Sequence, residues 1–437
     1  MAETTPPAGG ADTIAPQPTT TQTPQTTADR PIIGTSSTFD PTVDDRSIRP
    51  FKFQASTEAL DDLKRRILAT RWPERELVDD DTQGVQLAAI QKLVDYWGSQ
   101  YDWRKVEVEL NSYPQFVTNI DGLDVHFIHV KSQHENALPL IVTHGWPGSV
   151  IEQMKIIKPL TDPTAFGGTE NDAFHVVIPS IPGFGFSEKP REVGWNPERI
   201  AKAWGELMSR LGYDRYVAQG GDWGAIITDL MGVQQPKGLI GIHTNMACSI
   251  PPEIDAAAFT GVAPAGLNEE EQAAFDQLSF FYRTDLAYAQ QMGTHPQTLY
   301  GLEDSPVQLA AWILDHDIRS YRLIKRVFEG EAEGLSKDDI LDNITLTWLT
   351  STGISSARLY WENKMPFFTP KGVKLPTVVS VFPDEISPAP QSWVEKAYPN
   401  LLQYRRHPKG GHFAAWEQPQ LFSEELRAAF RPLRKKN

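Results

Sequence analysis

One acidic residue lies at the turn between a predicted strand and a predicted helix, in the segment Val-Ala-Gln-Gly-Gly-Asp-Trp-Gly-Ala at 217–225. Small residues stand two places before and two places after this residue, Asp222. Such neighbours permit a sharp turn that exposes one side chain at the carboxyl end of a strand. The segment therefore predicts an open α/β sheet with Asp222 as a nucleophile, although Gly-Gly-Asp alone also fits an ordinary loop with a turn-forming Asp.

The chemistry predicted for Asp222 follows from its carboxylate. A carboxylate that attacks carbon forms an alkyl ester, so the predicted target is an electrophilic sp³ carbon rather than an acyl group. The formal net charge of -15 argues against nucleic acid or an anionic membrane surface as a partner, because phosphate binding needs clustered Lys and Arg. Apolar residues make up 40% of the chain, enough to line an apolar pocket. The substrate is therefore predicted to be small and neutral.

Short apolar runs alternate with helical stretches along most of the chain, which predicts a mostly parallel sheet with helices on both faces. The predicted strands of this sheet are 138–143, 174–179, 216–219, 239–246, 377–382 and 401–404. Asp121-Gly122 supplies the positive φ angles of a type I′ turn and predicts an edge hairpin over 116–120 and 123–130. Between about 251 and 366 the strand signal disappears, and a helical lid inserted into the sheet domain is predicted.

The amino-terminal half carries two further patterns. Residues 1–45 are rich in Thr and Pro with few large apolar side chains, which predicts a disordered tail. From Ser56 a helix is predicted, because its apolar side chains fall on one helical face before Arg71-Trp72-Pro73 ends the run. Those side chains are Leu60, Leu63, Ile67 and Leu68. A second helix is predicted over 85–96.

Cellular location is predicted from what the sequence contains. The chain has no secretory signal pattern and no run near the roughly 20 apolar residues of a membrane span, so a cytoplasmic protein without a membrane anchor is predicted. Its one cysteine, Cys248, excludes an intrachain disulfide and is predicted to be a core thiol.

Two glycine-rich loops supply the remaining candidate groups. The loop His-Gly-Trp-Pro-Gly at 144–148 follows a predicted strand, and the backbone N–H groups of Trp146 and Trp223 are predicted to hold an oxyanion. A tight loop with a structural histidine is the alternative. Near the carboxyl terminus, Lys-Gly-Gly-His-Phe presents His412 as the base, because imidazole transfers protons near neutral pH. Either Asp384 or Glu385, just after the strand 377–382, could orient that base.

Taken together, these motifs resemble those of the microsomal-type epoxide hydrolases, which have an N-terminal epoxide-hydrolase region ahead of an α/β-hydrolase domain. The resemblance covers nearly everything from about residue 47 onward. It is carried by Tyr101-Asp102-Trp103-Arg104, Tyr113-Pro114-Gln115-Phe116, residues 124–130, residues 144–149, residues 179–188, residues 220–224 and residues 410–415.

The resemblance implies an α/β-hydrolase fold with an N-terminal meander and an inserted helical lid. The implied domains are a tail at 1–45, an N-terminal epoxide-hydrolase region at 46–115, a hydrolase core at 116–250 and 367–437, and a lid at 251–366. It also implies an apolar epoxide as substrate, a vicinal diol as product, no metal and no cofactor, and it leaves a homodimer open.

Site roles are carried over from the resemblance residue by residue. Asp222 matches the family's nucleophile, His412 its base and Glu385 its triad acid, with the choice of Glu385 resting on that match. Tyr288 and Tyr360 match two lid tyrosines that donate hydrogen bonds to the epoxide oxygen, although each also fits a core aromatic. The implied cycle is an ester on Asp222 that is hydrolysed by water activated by His412 and Glu385.

Two alternatives remain at this point. A haloalkane dehalogenase also uses an Asp nucleophile beside a Trp, but it needs N–H donors for a halide in place of paired lid tyrosines. A non-catalytic binding module on the same fold would bind an epoxide analogue without turnover.

Overall fold

A nine-stranded sheet runs through residues 46–434, the part of the chain that this computed structural model describes. The predicted tail, residues 1–45, lies outside the described residues. The strands are β1 (Arg49–Phe51), β2 (Gln115–Ile120), β3 (Leu123–Val130), β4 (Leu138–Thr143), β5 (Phe174–Pro179), β6 (Tyr216–Gly220), β7 (Leu239–Thr244), β8 (Thr377–Val381) and β9 (Leu401–Arg406). The predicted strands of the sheet and the edge hairpin are therefore confirmed, with ends that differ by at most two residues.

The helices fall between these strands. In the first half they are α1 (Thr57–Leu68), α2 (Leu87–Ser99), α3 (Trp103–Ser112), α4 (Met154–Thr161), α5 (Pro197–Arg210) and α6 (Trp223–Gln234). Between β7 and β8 they are α7 (Pro252–Ala258), α8 (Glu269–Phe280), α9 (Ala287–Thr294), α10 (Gly301–Asp304), α11 (Pro306–Leu314), α12 (Ile318–Glu329), α13 (Lys337–Leu349) and α14 (Gly353–Glu362). After β8 come α15 (Gln391–Ala397), α16 (Ala414–Glu417) and α17 (Pro419–Phe430).

The sheet is mostly parallel, as predicted. Its strand order is β1-β2-β3-β5-β4-β6-β7-β8-β9, with antiparallel pairs from β1 to β5 and parallel pairs from β5 to β9. Strand β1 was not predicted from the sequence. It pairs with β2, so the predicted hairpin lies one strand inside the edge. A three-residue strand is too short to show an alternating pattern.

Helices cover both faces of the sheet, and alternate side chains of β4 divide between two cores. Ile141 packs with residues of α5 and α6, whereas Leu140 and Val142 pack with residues of α4 and α17. This alternation follows from the period of two in a strand, which sends successive side chains to opposite faces. The sheet is therefore buried on both sides, as parallel sheets are.

Helix α1 confirms the first predicted helix but corrects one residue of its apolar face. Leu63 and Ile67 are buried, whereas Leu68 is 74% exposed. Leu68 is the last residue of the helix, and Ala69 caps it through its backbone N–H. The exposed side chain therefore stands where the chain leaves the surface on which α1 packs.

The order of the strands determines where a site can form. From β4 the chain crosses to β5 on one side and then returns to β6 on the other, so β4 and β6 are neighbours whose connections leave in opposite directions. Thr143 and Gly220 end these two strands and stand opposite each other. In open α/β sheets, ligands bind in the crevice that such a reversal leaves at the carboxyl ends of the strands.

The stretch from Pro252 to Glu362 contains helices α7 to α14 and, within the described residues, no strand. Its predicted helical character is confirmed. A short π-helical turn, Phe281–Asp285, joins α8 to α9. The exact boundaries of the predicted domains stay predictions.

Candidate active site

Asp222 stands at a strained turn between β6 and α6. Its backbone has φ 52° and ψ -128°, a conformation that residues other than glycine rarely adopt. The flanking glycines make the turn sterically allowed, because a Cβ on Gly220 would lie 1.9 Å from the carbonyl oxygen of Gly224 and one on Gly224 would lie 2.0 Å from that of Thr143. The chain therefore aims the Asp222 carboxylate into the crevice beside β4.

The two oxygens of the Asp222 carboxylate have different partners. The backbone N–H of Trp146 donates to Oδ1 at 2.7 Å. Oδ2 lies 3.4 Å from Nε2 of His412. Asp222 is only 4% exposed, so its charge is stabilised mainly by protein groups rather than by bulk water.

His412 lies on the loop between β9 and α16 and is held by one of the two candidate acids. Its Nδ1 is 2.6 Å from Oε1 of Glu385, which is 1% exposed. Asp384 is exposed and lies near Arg319 instead. The side chain of Glu385 is turned inward and that of Asp384 outward, so only Glu385 reaches the imidazole.

The charges of Asp222 and His412 depend on each other. Burial alone would lower the pKa of His412, but the nearby carboxylates Glu385 and Asp222 raise that pKa well above its ordinary value. Burial would likewise raise the pKa of Asp222, but hydrogen bonding and charge from His412, helped by the N–H of Trp223, hold it below its ordinary value. Asp222 is therefore ionised at neutral pH, the form in which a carboxylate can attack carbon.

Two tyrosines face Asp222 from the helical stretch. Tyr288 on α9 stacks on Trp146 with ring centroids 4.9 Å apart, and Tyr360 on α14 meets Trp223 edge to face at 4.8 Å. The Tyr288 and Tyr360 rings are 6.0 Å apart. Burial raises the pKa of each tyrosine well above its ordinary value, so both hydroxyls are protonated at neutral pH.

An apolar pocket of about 360 Å³ joins the tyrosines to Asp222. Its walls are mainly aromatic and include Trp223, Phe281, Phe367 and Phe368. Apolar walls with a few convergent polar groups are the usual composition of a small-molecule site. The pocket can therefore hold an apolar molecule with one reactive end between the carboxylate and the two hydroxyls.

The chain matches known proteins over most of its length. Residues 48–153 match the family described as epoxide hydrolase N terminus, and residues 139–419 match that described as alpha/beta hydrolase fold. A Stigmatella aurantiaca (strain DW4/3-1) protein described as a candidate epoxide hydrolase is 51% identical, over 89% of this chain and 86% of its own. Epoxide hydrolase 1 of Oryctolagus cuniculus is 37% identical, over 88% of this chain and 89% of its own. The chain belongs to the epoxide hydrolase family.

Solved structures of epoxide hydrolases share the fold. The juvenile hormone epoxide hydrolase of the silkworm Bombyx mori is similar with a TM-score of 0.78 and 32% identity, covering 90% of this chain and 96% of that one. The Aspergillus niger epoxide hydrolase has a TM-score of 0.74 and 30% identity, covering 89% and 97%. The predicted α/β-hydrolase fold is confirmed. Within residues 46–434, no helix of this epoxide hydrolase combines the length and the apolar character needed to span a bilayer.

Three buried residues beside Asp222 were not singled out from the sequence. The Glu152 carboxyl group packs against Gly148, which lies on the loop after β4. Burial raises the pKa of Glu152 to about 8, so this side chain is neutral at pH 7. His316 and Asp317 lie between α11 and α12, with their side chains 2.8 Å apart. A His-Asp pair next to a helix start is a weak sequence signal, because Asp is a common N-cap residue.

One group of potential metal ligands occurs among residues 46–434 of this epoxide hydrolase. It consists of Asp222, His316 and His412, whose closest ligand-type atoms lie within 4.8 Å of one another. Oδ2 of Asp222 and Nε2 of His412 are 3.4 Å apart, so the three side chains are close enough to interact directly or through one water molecule.

Substitution of Gly145 tests how closely the chain packs against the Asp222 carboxylate. A Cβ at this position would lie 2.2 Å from Oδ1 of Asp222, so Gly145→Ala is expected to displace that side chain. A displacement of about 1 Å can cost about 10²-fold in rate, and we expect steady-state turnover to fall by that much. Gly293→Ala on α9 is the matched control, because the nearest atom to its Cβ is 3.9 Å away. Equal turnover by the two variants would contradict the tight fit.

Proposed function

We propose that this enzyme converts an apolar epoxide and water to a vicinal diol through a covalent alkyl ester on Asp222. The observation that carries the proposal is the position of an ionised carboxylate, rather than a serine hydroxyl, at the turn after β6, opposite two protonated tyrosines across an apolar pocket. A carboxylate makes an alkyl ester with an epoxide carbon, and the tyrosines supply a proton to the opening oxygen.

In the first step Oδ2 of Asp222 attacks a ring carbon while the C–O bond to the epoxide oxygen breaks. Oδ2 is the attacking atom because the N–H of Trp146 occupies Oδ1. Tyr288 and Tyr360 donate hydrogen bonds to the epoxide oxygen, and one of them gives its proton to the alkoxide. Because burial raises their pKa above the ordinary value near 10, the tyrosines are too weakly acidic to protonate a resting epoxide but can protonate a developing alkoxide.

In the second step water attacks the ester carbonyl and transfers a proton to His412, which Glu385 orients, and the acyl C–O bond to Oδ2 then breaks to release the diol. Esterification neutralises Asp222 and so removes one of the two charges that raise the pKa of His412, which lets the imidazole act as a base. The N–H groups of Trp146 and Trp223 hold the oxyanion that forms on the Asp222 carboxyl group. A second cavity, of about 20 Å³, is lined by Asp222, His412 and Glu152 and shares only Asp222 with the substrate pocket. One water needs about 10–15 Å³, so this cavity can supply water while the alkyl group fills the pocket.

Product analysis across aryl, terpenoid and aliphatic epoxides tests the proposed function. We expect diol formation to be strongest for substrates that match the aromatic walls of the pocket. A set of haloalkanes of similar size is the comparison. Halide release without diol formation from any epoxide would contradict the proposal and favour a dehalogenase.

Separate substitutions of Glu385 and Asp384 show which of the two acids orients His412. Glu385→Gln is expected to slow ester hydrolysis by about 10²-fold or more, because the amide no longer stabilises the imidazolium that forms during water attack. Asp384→Asn is the matched control and is expected to hydrolyse the ester at the wild-type rate, since that side chain is exposed. Rapid-quench measurement of ester decay gives both rates. A larger effect at Asp384 would reverse the assignment.

A further inference from the structure

A second pair of histidine and carboxylate lies inside the site, and the proposed cycle does not use it. His316 and Asp317 are both nearly inaccessible, with side chains 1% and 2% exposed. Nδ1 of His316 lies 2.8 Å from Oδ2 of Asp317. No protein group within residues 46–434 forms a hydrogen bond to Nε2 of His316. This pair therefore repeats, on the helical stretch, the arrangement of His412 and Glu385.

The packing around His316 places it between the base and one of the tyrosines. Its ring centroid is 4.7 Å from that of His412 and 5.2 Å from that of Tyr288. One ring nitrogen each of His316 and His412 and one oxygen of Asp222 lie within 4.8 Å of one another. Two hydrogen bonds that share one water oxygen span about 4.6 Å. A single water can therefore connect the two imidazoles.

Asp317 is held in its charged form by the start of α12. Its Oδ1 accepts hydrogen bonds from the N–H groups of Arg319 and Ser320 at 3.0 and 2.9 Å, while Oδ2 faces His316. Burial would raise the pKa of Asp317, but the hydrogen bond and charge of His316 lower it below its ordinary range. The other carboxylates whose charge acts on His316 are Asp285 and Asp222. His316 therefore lies among three carboxylates.

The balance of protons in the proposed cycle leaves one transfer unassigned. Ring opening moves a proton from a tyrosine to the alkoxide. Hydrolysis moves one water proton to His412, and the second stays on the Asp222 carboxyl group until the acyl C–O bond breaks and the departing alkoxide takes it. The diol then leaves behind a tyrosinate and a protonated His412. One proton must pass from His412 to the tyrosinate before the next turnover.

We propose that His316, held by Asp317, carries this proton from His412 back to Tyr288. The proposal rests on the proposed function, because only the ester cycle leaves a tyrosinate. His316, with Nδ1 held by Asp317, accepts the proton on Nε2 through the bridging water and then releases a proton from Nε2 to the Tyr288 oxygen. The Tyr288 and Tyr360 rings are 6.0 Å apart and their hydroxyls affect each other's pKa, so either tyrosine can be restored by this route. His316 is thus a proton-transfer residue for resetting the site, separate from both covalent steps.

The test uses His316→Gln, which keeps a donor for Asp317 but has no basic nitrogen. Ester formation and ester decay in the first turnover are expected to keep their wild-type rates, measured by rapid quench with an aryl epoxide. Later turnovers are expected to slow by about 10²-fold, the lower end of the usual effect of a proton-transfer group. Near-ultraviolet absorbance should show tyrosinate building up to one per active site, and added imidazole should restore turnover.

The control and the second variant keep the test decisive. His295→Gln changes an exposed histidine of the same helical stretch and is expected to behave as wild type. Asp317→Asn keeps the cap on α12 but removes the carboxylate charge beside His316. If His316→Gln does not fold, the same measurements on Asp317→Asn test the relay. Slower ester formation, or slower turnover without tyrosinate and without imidazole rescue, would overturn the relay. Absence of any ester in the wild type would instead overturn the proposed function.

Discussion

The His412→Gln variant is expected to form the alkyl ester on Asp222 and then fail to hydrolyse it. Attack by a carboxylate needs no base, whereas attack by water does, so the substitution affects only the second step. Loss of a general base costs about 10²- to 10⁴-fold, enough to trap the intermediate. Mixed with an aryl epoxide, the variant should gain the mass of one substrate on the peptide that contains Asp222.

Isotope labelling provides the control for this trapping experiment. In a single turnover in ¹⁸O-water, the wild-type enzyme should release largely unlabelled diol and retain ¹⁸O in the Asp222 carboxylate. Direct attack of water on the epoxide, with His412 as its base, predicts labelled diol, no adduct and an unlabelled Asp222. That result would refute the ester mechanism and leave the fold and the family unaffected.

Replacing both tyrosines by phenylalanine is expected to reduce ester formation nearly to the background rate. Tyr288 and Tyr360 act on one oxygen, so each single variant retains a donor while the double variant has none. Acid assistance contributes about 10²- to 10⁴-fold, and the double variant should lose most of it. Single-turnover mass spectrometry of the adduct measures this rate without interference from hydrolysis.

The matched control for the tyrosines is Tyr300→Phe, an exposed position of the same helical stretch. It should leave ester formation unchanged. The two single effects need not add to the double effect, because residues that act on the same atom are coupled. Wild-type ester formation by the double variant would remove both tyrosines from the mechanism.

Local sequence predicted the fold well where the pattern is long or the turn chemistry is strict. The hairpin around Asp121-Gly122 and the strand before Asp222 are examples, because both depend on few neighbouring residues. Strand β1 was missed because three residues show no period, and the exposure of Leu68 because a helical face does not reveal where its packing partner ends. The sequence pattern therefore predicted which long helices and strands form better than where they end or stop packing.

The site was predicted unevenly for a similar reason. Chain order placed His412 after the last strand, but physics alone did not separate Asp384 from Glu385, since neighbours on a loop point to opposite sides only once the loop is folded. His316 carried only a weak signal, because its position depends on how α11 and α12 pack over the sheet. Contacts made by the helical stretch between β7 and β8 are set by tertiary packing, which a single sequence does not encode in any short motif.

The unequal surroundings of the two Asp222 oxygens have a consequence for the identity of the catalyst itself. Trp146 fixes Oδ1 in the resting enzyme, in the position where the oxyanion forms. Under the proposed cycle Oδ2 departs with the diol, and the oxygen of water takes its place. The enzyme thus loses and regains one side-chain oxygen in every cycle, whereas Oδ1 is never exchanged. After the first turnover, one oxygen of the Asp222 carboxylate therefore comes from a substrate water molecule.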